Sequence, residues 1–83
     1  MSSPSGSEGV RARGVIQRVY PERSFGFIRC REGAADDLNQ DFFFHATGLD
    51  DCGIAELEEG SQVEFEPRHV AKGKRAEHIT RVP

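Results

Sequence analysis

The sequence predicts an all-β fold, a small five-stranded antiparallel closed barrel. Three observations carry that expectation. Five short runs rich in β-branched and aromatic residues are separated by clusters of Gly, Pro, Asn and Asp. No segment has the period and length of an amphipathic helix; Ile54, Ala55 and Leu57 suit one short helical turn and no more. Finally, 83 residues make one domain with a core near the lower limit for unaided folding. A chain of that size gains by closing its sheet, because closure hides strand edges.

The elements follow in order. Residues 1–11 begin Met1-Ser2-Ser3-Pro4-Ser5-Gly6-Ser7, are poor in apolar groups, and read as a flexible Ser/Gly-rich tail. Residues 12–83 form the domain, with ordered structure expected to begin near Arg13. Gly14 to Tyr20 is the first strand and stops at Pro21. Pro21-Glu22-Arg23-Ser24 is a tight connection of turn residues, so a second strand from Phe25 to Arg31 makes a hairpin with the first. Glu32 to Gln40 is a polar loop with Gly33, Asp36, Asp37 and Asn39. The third strand covers Asp41 to Ala46. A long connection with Gly48, Gly53 and Gly60 then leads to the fourth strand, Gln62 to Glu66, with Val63 and Phe65 inward and Pro67 as its stop. Lys72-Gly73-Lys74 is a turn, and Arg75 to Val82 closes the sheet with Ile79 inward.

Two of these strands hold five of the six phenylalanines: Phe25-Gly26-Phe27-Ile28 and Phe42-Phe43-Phe44-His45. Side chains alternate between the faces of a strand. If Phe42, Phe44 and Ile28 fill the interior, then Phe25, Phe27, Phe43 and His45 face water. Exposed rings on adjacent strands are costly unless something flat stacks on them, and unpaired nucleobases are the obvious flat partner.

Net charge is −3, but the charges are segregated. From Arg11 to Arg31 six arginines oppose the single Glu22, for +5. From Glu32 to Glu66 there are eleven acids and no Lys or Arg, for −11. From Pro67 onward Arg68, Lys72, Lys74, Arg75 and Arg81 oppose Glu77, for +4. Such segregation allows a local basic face for phosphate on an acidic chain.

Other functions find little support. No run approaches the roughly 20 apolar residues of a spanning helix, and the start lacks the apolar core of a signal peptide. A cytoplasmic protein with Cys30 and Cys52 reduced is therefore expected. Asp36, Asp37 and Asp41 lack the loop pattern of a calcium site. Cys30, His45, Cys52, His69 and His78 are scattered without a Cys-x-x-Cys core, so no metal is expected. No nucleophile elbow or Gly-rich phosphate loop suggests an enzyme or a small-molecule cofactor.

The chain resembles the cold-shock domain family, five-stranded barrels of the oligonucleotide-binding class (the OB-fold). Arg23-Ser24-Phe25-Gly26-Phe27-Ile28 is similar to the family's first ribonucleoprotein motif, usually Lys-Gly-Phe-Gly-Phe-Ile. Phe42-Phe43-Phe44-His45-Ala46 is similar to the second, usually Val-Phe-Val-His-Phe. Glu58 to Phe65 resembles the acidic-Gly-x-x-Val-x-Phe entry to strand four, and Ala71-Lys72-Gly73 also fits. The resemblance runs from about Arg13 to Val82.

It implies binding of single-stranded RNA or DNA with little sequence preference, without chemistry, by a monomer that acts as an RNA chaperone or in the regulation of transcription or translation. It carries base contacts onto Phe25, Phe27, Phe43 and His45, and Arg23 stands where the family often has a lysine near phosphate. Tyr20 is a further stacking candidate, and Lys72 a further phosphate candidate. The sequence departs from the family in strand one, where Gln17-Arg18-Val19 replaces the usual Lys-Trp-Phe, and at Ala46, where phenylalanine is common. Arg18 is expected to contact nucleic acid in the place of the tryptophan, since a guanidinium plane both stacks and carries charge. The alternative is a protein-interaction module on the same barrel, with weakened nucleic-acid binding and the acidic middle segment turned toward a basic partner.

Overall fold

The structure, a computed structural model, describes residues 11–50 and 52–82. Most of the expected tail falls outside these residues. The five strands are β1 (Ala12–Tyr20), β2 (Phe25–Glu32), β3 (Asp41–His45), β4 (Gln62–Val70) and β5 (Gly73–Arg81). They close into a barrel in the order β1-β2-β3-β5-β4. One pair departs from the expected antiparallel pattern. β3 meets β5 in parallel, through the single register pair Phe43↔Arg75, and a parallel bridge between Leu49 and Ile79 extends that seam.

The interior is built by alternation. Ile28, Phe42, Phe44, Val63, Phe65 and Ile79 have no exposed surface, and with Ala12, Ile16, Cys30, Leu57 and Ala76 they form one core cluster. Gly26 is needed inside it. A β-carbon there would lie 2.6 Å from both the Phe44 ring and the Arg18 carbonyl oxygen. Glycine between two outward phenylalanines thus leaves the inner space to the facing ring, for Gly26 pairs with Phe44.

Three local expectations are corrected. β3 ends at His45, and Ala46 opens a 3₁₀ turn (Ala46–Gly48). β4 does not stop at Pro67 but runs on to Val70 and forms a hairpin with β5. Pro67 is tolerated because β1 pairs only with Gln62 to Phe65, so β4 has a free side there and a missing N–H need break no ladder bond. The turn is accordingly the two residues Ala71 and Lys72, since Val70 already pairs with Gly73.

The third correction concerns the acids. Most of the acidic middle is exposed, but Asp37 keeps only 2% of its surface open. It sits in a 3₁₀ turn (Ala35–Asp37) inside the loop read as merely polar. Its Oδ1 lies 2.9 Å from His69 Nε2 and accepts from Lys74 Nζ at 3.2 Å. His69 also packs near Phe42, with ring centroids 6.4 Å apart, and Lys74 Nζ stands 5.9 Å from that ring. The cluster covers the Phe42 ring with satisfied polar groups. Burial pushes the Asp37 carboxyl up, but the hydrogen bonds and charges of His69 and Lys74 outweigh it and hold the group below its ordinary value. Burial likewise raises the Cys30 thiol, helped by the Asp37 charge and opposed by a bond to the Glu32 carbonyl. Cys30 is a free thiol.

Two outcomes test this packing. Gly26→Ala is expected to destabilise the fold by about 1–3 kcal/mol through overpacking, read as a lower denaturant midpoint. A carboxyl with a depressed folded value stabilises fully above its unfolded value of about 3.9 and loses that stabilisation as pH falls through the lower folded one. Chemical denaturation from pH 7 to pH 2 should therefore show a loss beginning below about pH 4. In Asp37→Asn that acid-dependent loss should shrink, and stability at pH 7 should fall by about 1–3 kcal/mol.

Candidate nucleic-acid interface

Strand register assembles the outer face. Arg18 faces Phe27, Phe27 faces Phe43, Phe43 faces Arg75, and Arg75 faces Arg68. Beside this line runs a second, in which Tyr20 faces Phe25 and Phe25 faces His45. The rings touch. Tyr20 and Phe25 have centroids 5.0 Å apart, Phe25 and Phe43 5.7 Å, Phe27 and Phe43 5.9 Å, and Phe25 and Phe27 6.0 Å. All of these rings are partly open to solvent, Tyr20 the most at 38%. Their edge-to-face and tilted pairings support one another sideways while leaving ring surface outward.

Two bulges aim the side chains. In β1, Ile16 pairs with Ile28 and Arg18 with Phe27, so Gln17 is an extra residue. Strict alternation from the buried Ile16 would turn Arg18 and Tyr20 inward; the bulge turns both outward. Val19 is then half-buried against the core, so that departure from the family pattern alters packing rather than the ring face. In β5, Phe65 of β4 opposes both His78 and Ile79. His78 takes a left-handed conformation, φ 52°, which is uncommon for a residue with a β-carbon. Beyond it Ile79 and Ala76 are buried, while Glu77 and Arg75 stay on the outer side.

The remaining candidates take distinct places. Arg23 ends the 3₁₀ turn (Pro21–Arg23) that joins Tyr20 to the Phe25 strand. Lys72, at the tip of the β4–β5 hairpin, lines a groove of about 420 Å³ with Phe43, Val70, Lys74 and Arg75. Arg18, Arg23 and Lys72 have no ion-pair partner among the described residues. By contrast Arg13 bonds Glu64 at 2.9 Å, Arg29 bonds Asp41 at 2.9 Å, and Lys74 is held by Asp37. Asp41 in turn strengthens the protonation of Arg29, first by its hydrogen bond and then by its charge. Arg31 is likewise unpaired among the described residues, but it lies beside Arg13 and Glu32, away from the rings. Arg68 and Arg75 were not among the sequence candidates; Arg68 enters the line because β4 continues past Pro67 to Val70, and Arg75 because the bulge at His78 reverses the parity that residue spacing implies.

His45 is oriented by its neighbour. The Thr47 backbone N–H donates to His45 Nδ1 at 3.2 Å, and the Thr47 hydroxyl lies 3.1 Å from the same atom. A backbone N–H can only donate, so Nδ1 accepts and the neutral ring carries its proton on Nε2. Among the described residues no group of three or more His, Cys, Asp or Glu side chains is placed to hold a metal ion. No helix among them is long and apolar enough to cross a membrane.

Outward π faces at this spacing, a fixed imidazole donor and unpaired cations at the margins form a platform on which successive bases can stack. Residues 12–82 match the family described as the "Cold-shock" DNA-binding domain. The chain belongs to the cold-shock domain family. It is therefore a nucleic-acid-binding barrel of the oligonucleotide-binding type. It is 38% identical over 64 residues to the "Probable cold shock protein A" of Mycobacterium tuberculosis, covering 77% of this chain and 88% of that one. Against "Cold shock protein ScoF" of Streptomyces coelicolor it is 36% identical over 69 residues, with 83% and 96% covered. Among solved structures, "drosophila Unr CSD456" superposes with a TM-score of 0.68 at 29% identity, over 95% of this chain and 29% of that longer one.

The imidazole geometry makes a direct prediction. In a ¹⁵N–¹H correlation of the neutral ring, His45 should appear as the Nε2–H tautomer. Thr47→Val should leave the tautomer unchanged, because the backbone donor remains.

Proposed function

We propose that the protein binds single-stranded RNA or DNA with little base preference and performs no chemistry on it. Bases stack on Phe25, Phe27, Phe43 and His45, with Tyr20 extending the platform. Arg18 supplies a stacking cation beside Phe27, and Arg23 and Lys72 hold backbone. Weak, fast binding of this kind traps unpaired segments and melts RNA secondary structure, the action of an RNA chaperone. We assign this to a monomer working in the cytoplasm.

The observation that carries the reading is the four-ring cluster, all of it outward while Phe42, Phe44 and Phe65 suffice to fill the barrel. The rival, an acidic docking surface for a basic protein, is weakened by how the acids are used. Asp41, Glu56 and Glu64 are each within ion-pair distance of an arginine of this chain, and Asp37 is buried with Lys74.

Titration with a short oligouridine or oligothymidine, followed by NMR, tests the proposal. Shifts should concentrate in residues 18–27 and 43–45. Phe27→Ala and Phe43→Ala should each weaken binding by about 1–3 kcal/mol, roughly 5- to 150-fold. Affinity should fall with salt with a log–log slope of about −0.7 per phosphate neutralised. Shifts confined to residues 32–66 outside β3, or an affinity indifferent to salt, would favour the rival.

A further inference from the structure

At the far end of the ring line lies a feature that binding to the rings alone does not require. Glu77 stands between two arginines, its Oε1 3.5 Å from Arg68 Nε and its Oε2 3.5 Å from Arg75 Nε. Both are within ion-pair distance, yet neither is a good hydrogen bond, since charge-assisted N–H···O contacts close to about 2.7–2.9 Å. Arg75 Nε shows the consequence. It is shut off from solvent and makes no hydrogen bond, although its side chain keeps 41% of its surface open. Arg68 has one firmer contact, to Glu66 at 3.2 Å.

Position gives this loose cluster a meaning. Arg75 is the direct neighbour of Phe43 across the β3–β5 seam, and both line the groove that Lys72 enters. A strand whose bases lie on Phe27 and Phe43 must carry its phosphates past an edge of those rings, and Arg75 forms one such edge. A phosphodiester and a carboxylate offer a guanidinium the same thing: one negative charge shared by two oxygens in a plane it can grip with two N–H groups. Exposed ion pairs add little stability, so exchanging one anion for another here is easy.

We propose that Arg75 is a phosphate-binding residue for the bound strand and that Glu77 is its internal competitor. The carboxylate occupies the guanidinium when the face is empty and yields it to the backbone phosphate of the nucleotide stacked on Phe43. The carboxylate is an imperfect stand-in, held at 3.5 Å and leaving Nε unbonded, whereas the side chain as a whole, 41% open, leaves the outer part of the guanidinium within reach of a strand phosphate. Glu77 thereby sets affinity lower than the rings and cations would otherwise give, which suits a binder that must release what it traps. The inference rests on the single-strand binding proposed above.

Fluorescence anisotropy with a labelled heptauridine at several salt concentrations tests it. The proteins compared are the parent, Glu77→Gln, Arg75→Ala, and Arg68→Ala/Arg75→Ala with and without Glu77→Gln; thermal melts establish that each is folded. Arg75→Ala should bind several-fold more weakly, with a salt slope shallower by about 0.7, one phosphate's share. Glu77→Gln should bind several-fold more tightly, and that gain should vanish in the double-arginine background. A gain that persists there is only the removal of a negative charge and overturns the proposal. So does an Arg75→Ala affinity equal to the parent's. A parent that fails to bind the oligomer defeats the single-strand reading itself, whereas a binding parent with indifferent variants defeats this inference alone.

Discussion

The pairing of β2 with β3 fixes everything else about this molecule. Phe25, Phe27, Phe42, Phe43 and Phe44 all lie on these two strands, and the register Gly26↔Phe44 and Phe27↔Phe43 sorts them. Two rings go in and three go out. A slip by one residue would send the inner set to water and the outer set to the core. Gly26 guards against such a slip, because only there does the backbone admit the Phe44 ring. Core and outer ring face are thus one decision, made by a single pair of short strands. The rest of the barrel serves it: β1 and β5 bring Arg18, Tyr20 and Arg75 alongside, and β4 with the Asp37 cluster completes the enclosure.

How much of this was legible varies with the kind of signal. Alternation along Phe25–Ile28 and Phe42–His45 placed inner and outer residues correctly, as it did for Val63 and Phe65. Pro67 misled, because a proline forbids a central strand but tolerates a segment with one free side, and freedom of that side depends on where β1 ends. Asp37 was hidden for a different reason. A carboxylate in a Gly- and Asp-rich loop looks solvated until its partners are known, and His69 and Lys74 lie 32 and 37 residues away in sequence. Arg75 and Glu77 were obscured by a change of parity, for the residue responsible, His78, gives no compositional sign of taking a positive φ.

Charge segregation along the sequence proved an indirect guide. The molecule does not divide into a basic half and an acidic half. Arginines of the basic segments pair with acids of the middle one, as Arg13 does with its register partner Glu64 on the adjoining strand and Arg81 with Glu56. Of the four cations with no ion pair among the described residues, Arg18, Arg23, Arg31 and Lys72, all but Arg31 belong to the strand, turn and hairpin tip around the rings, while Arg31 lies beside Arg13 and Glu32. An acidic isoelectric point is compatible with a cationic margin because many acids are already matched to arginines and lysines within the fold.

The left-handed backbone at His78 restricts what this part of the chain can become. Valine, isoleucine or threonine would be strained at φ 52°, while glycine, asparagine or aspartate would keep the kink. Any substitution that straightened β5 would rotate its outer residues toward the hydrocarbon interior and exile its inner ones. Sequence drift in the final strand is therefore gated by one torsion angle, and residues 75 and 77 are free to vary in chemistry only while residue 78 preserves the turn that keeps them outdoors.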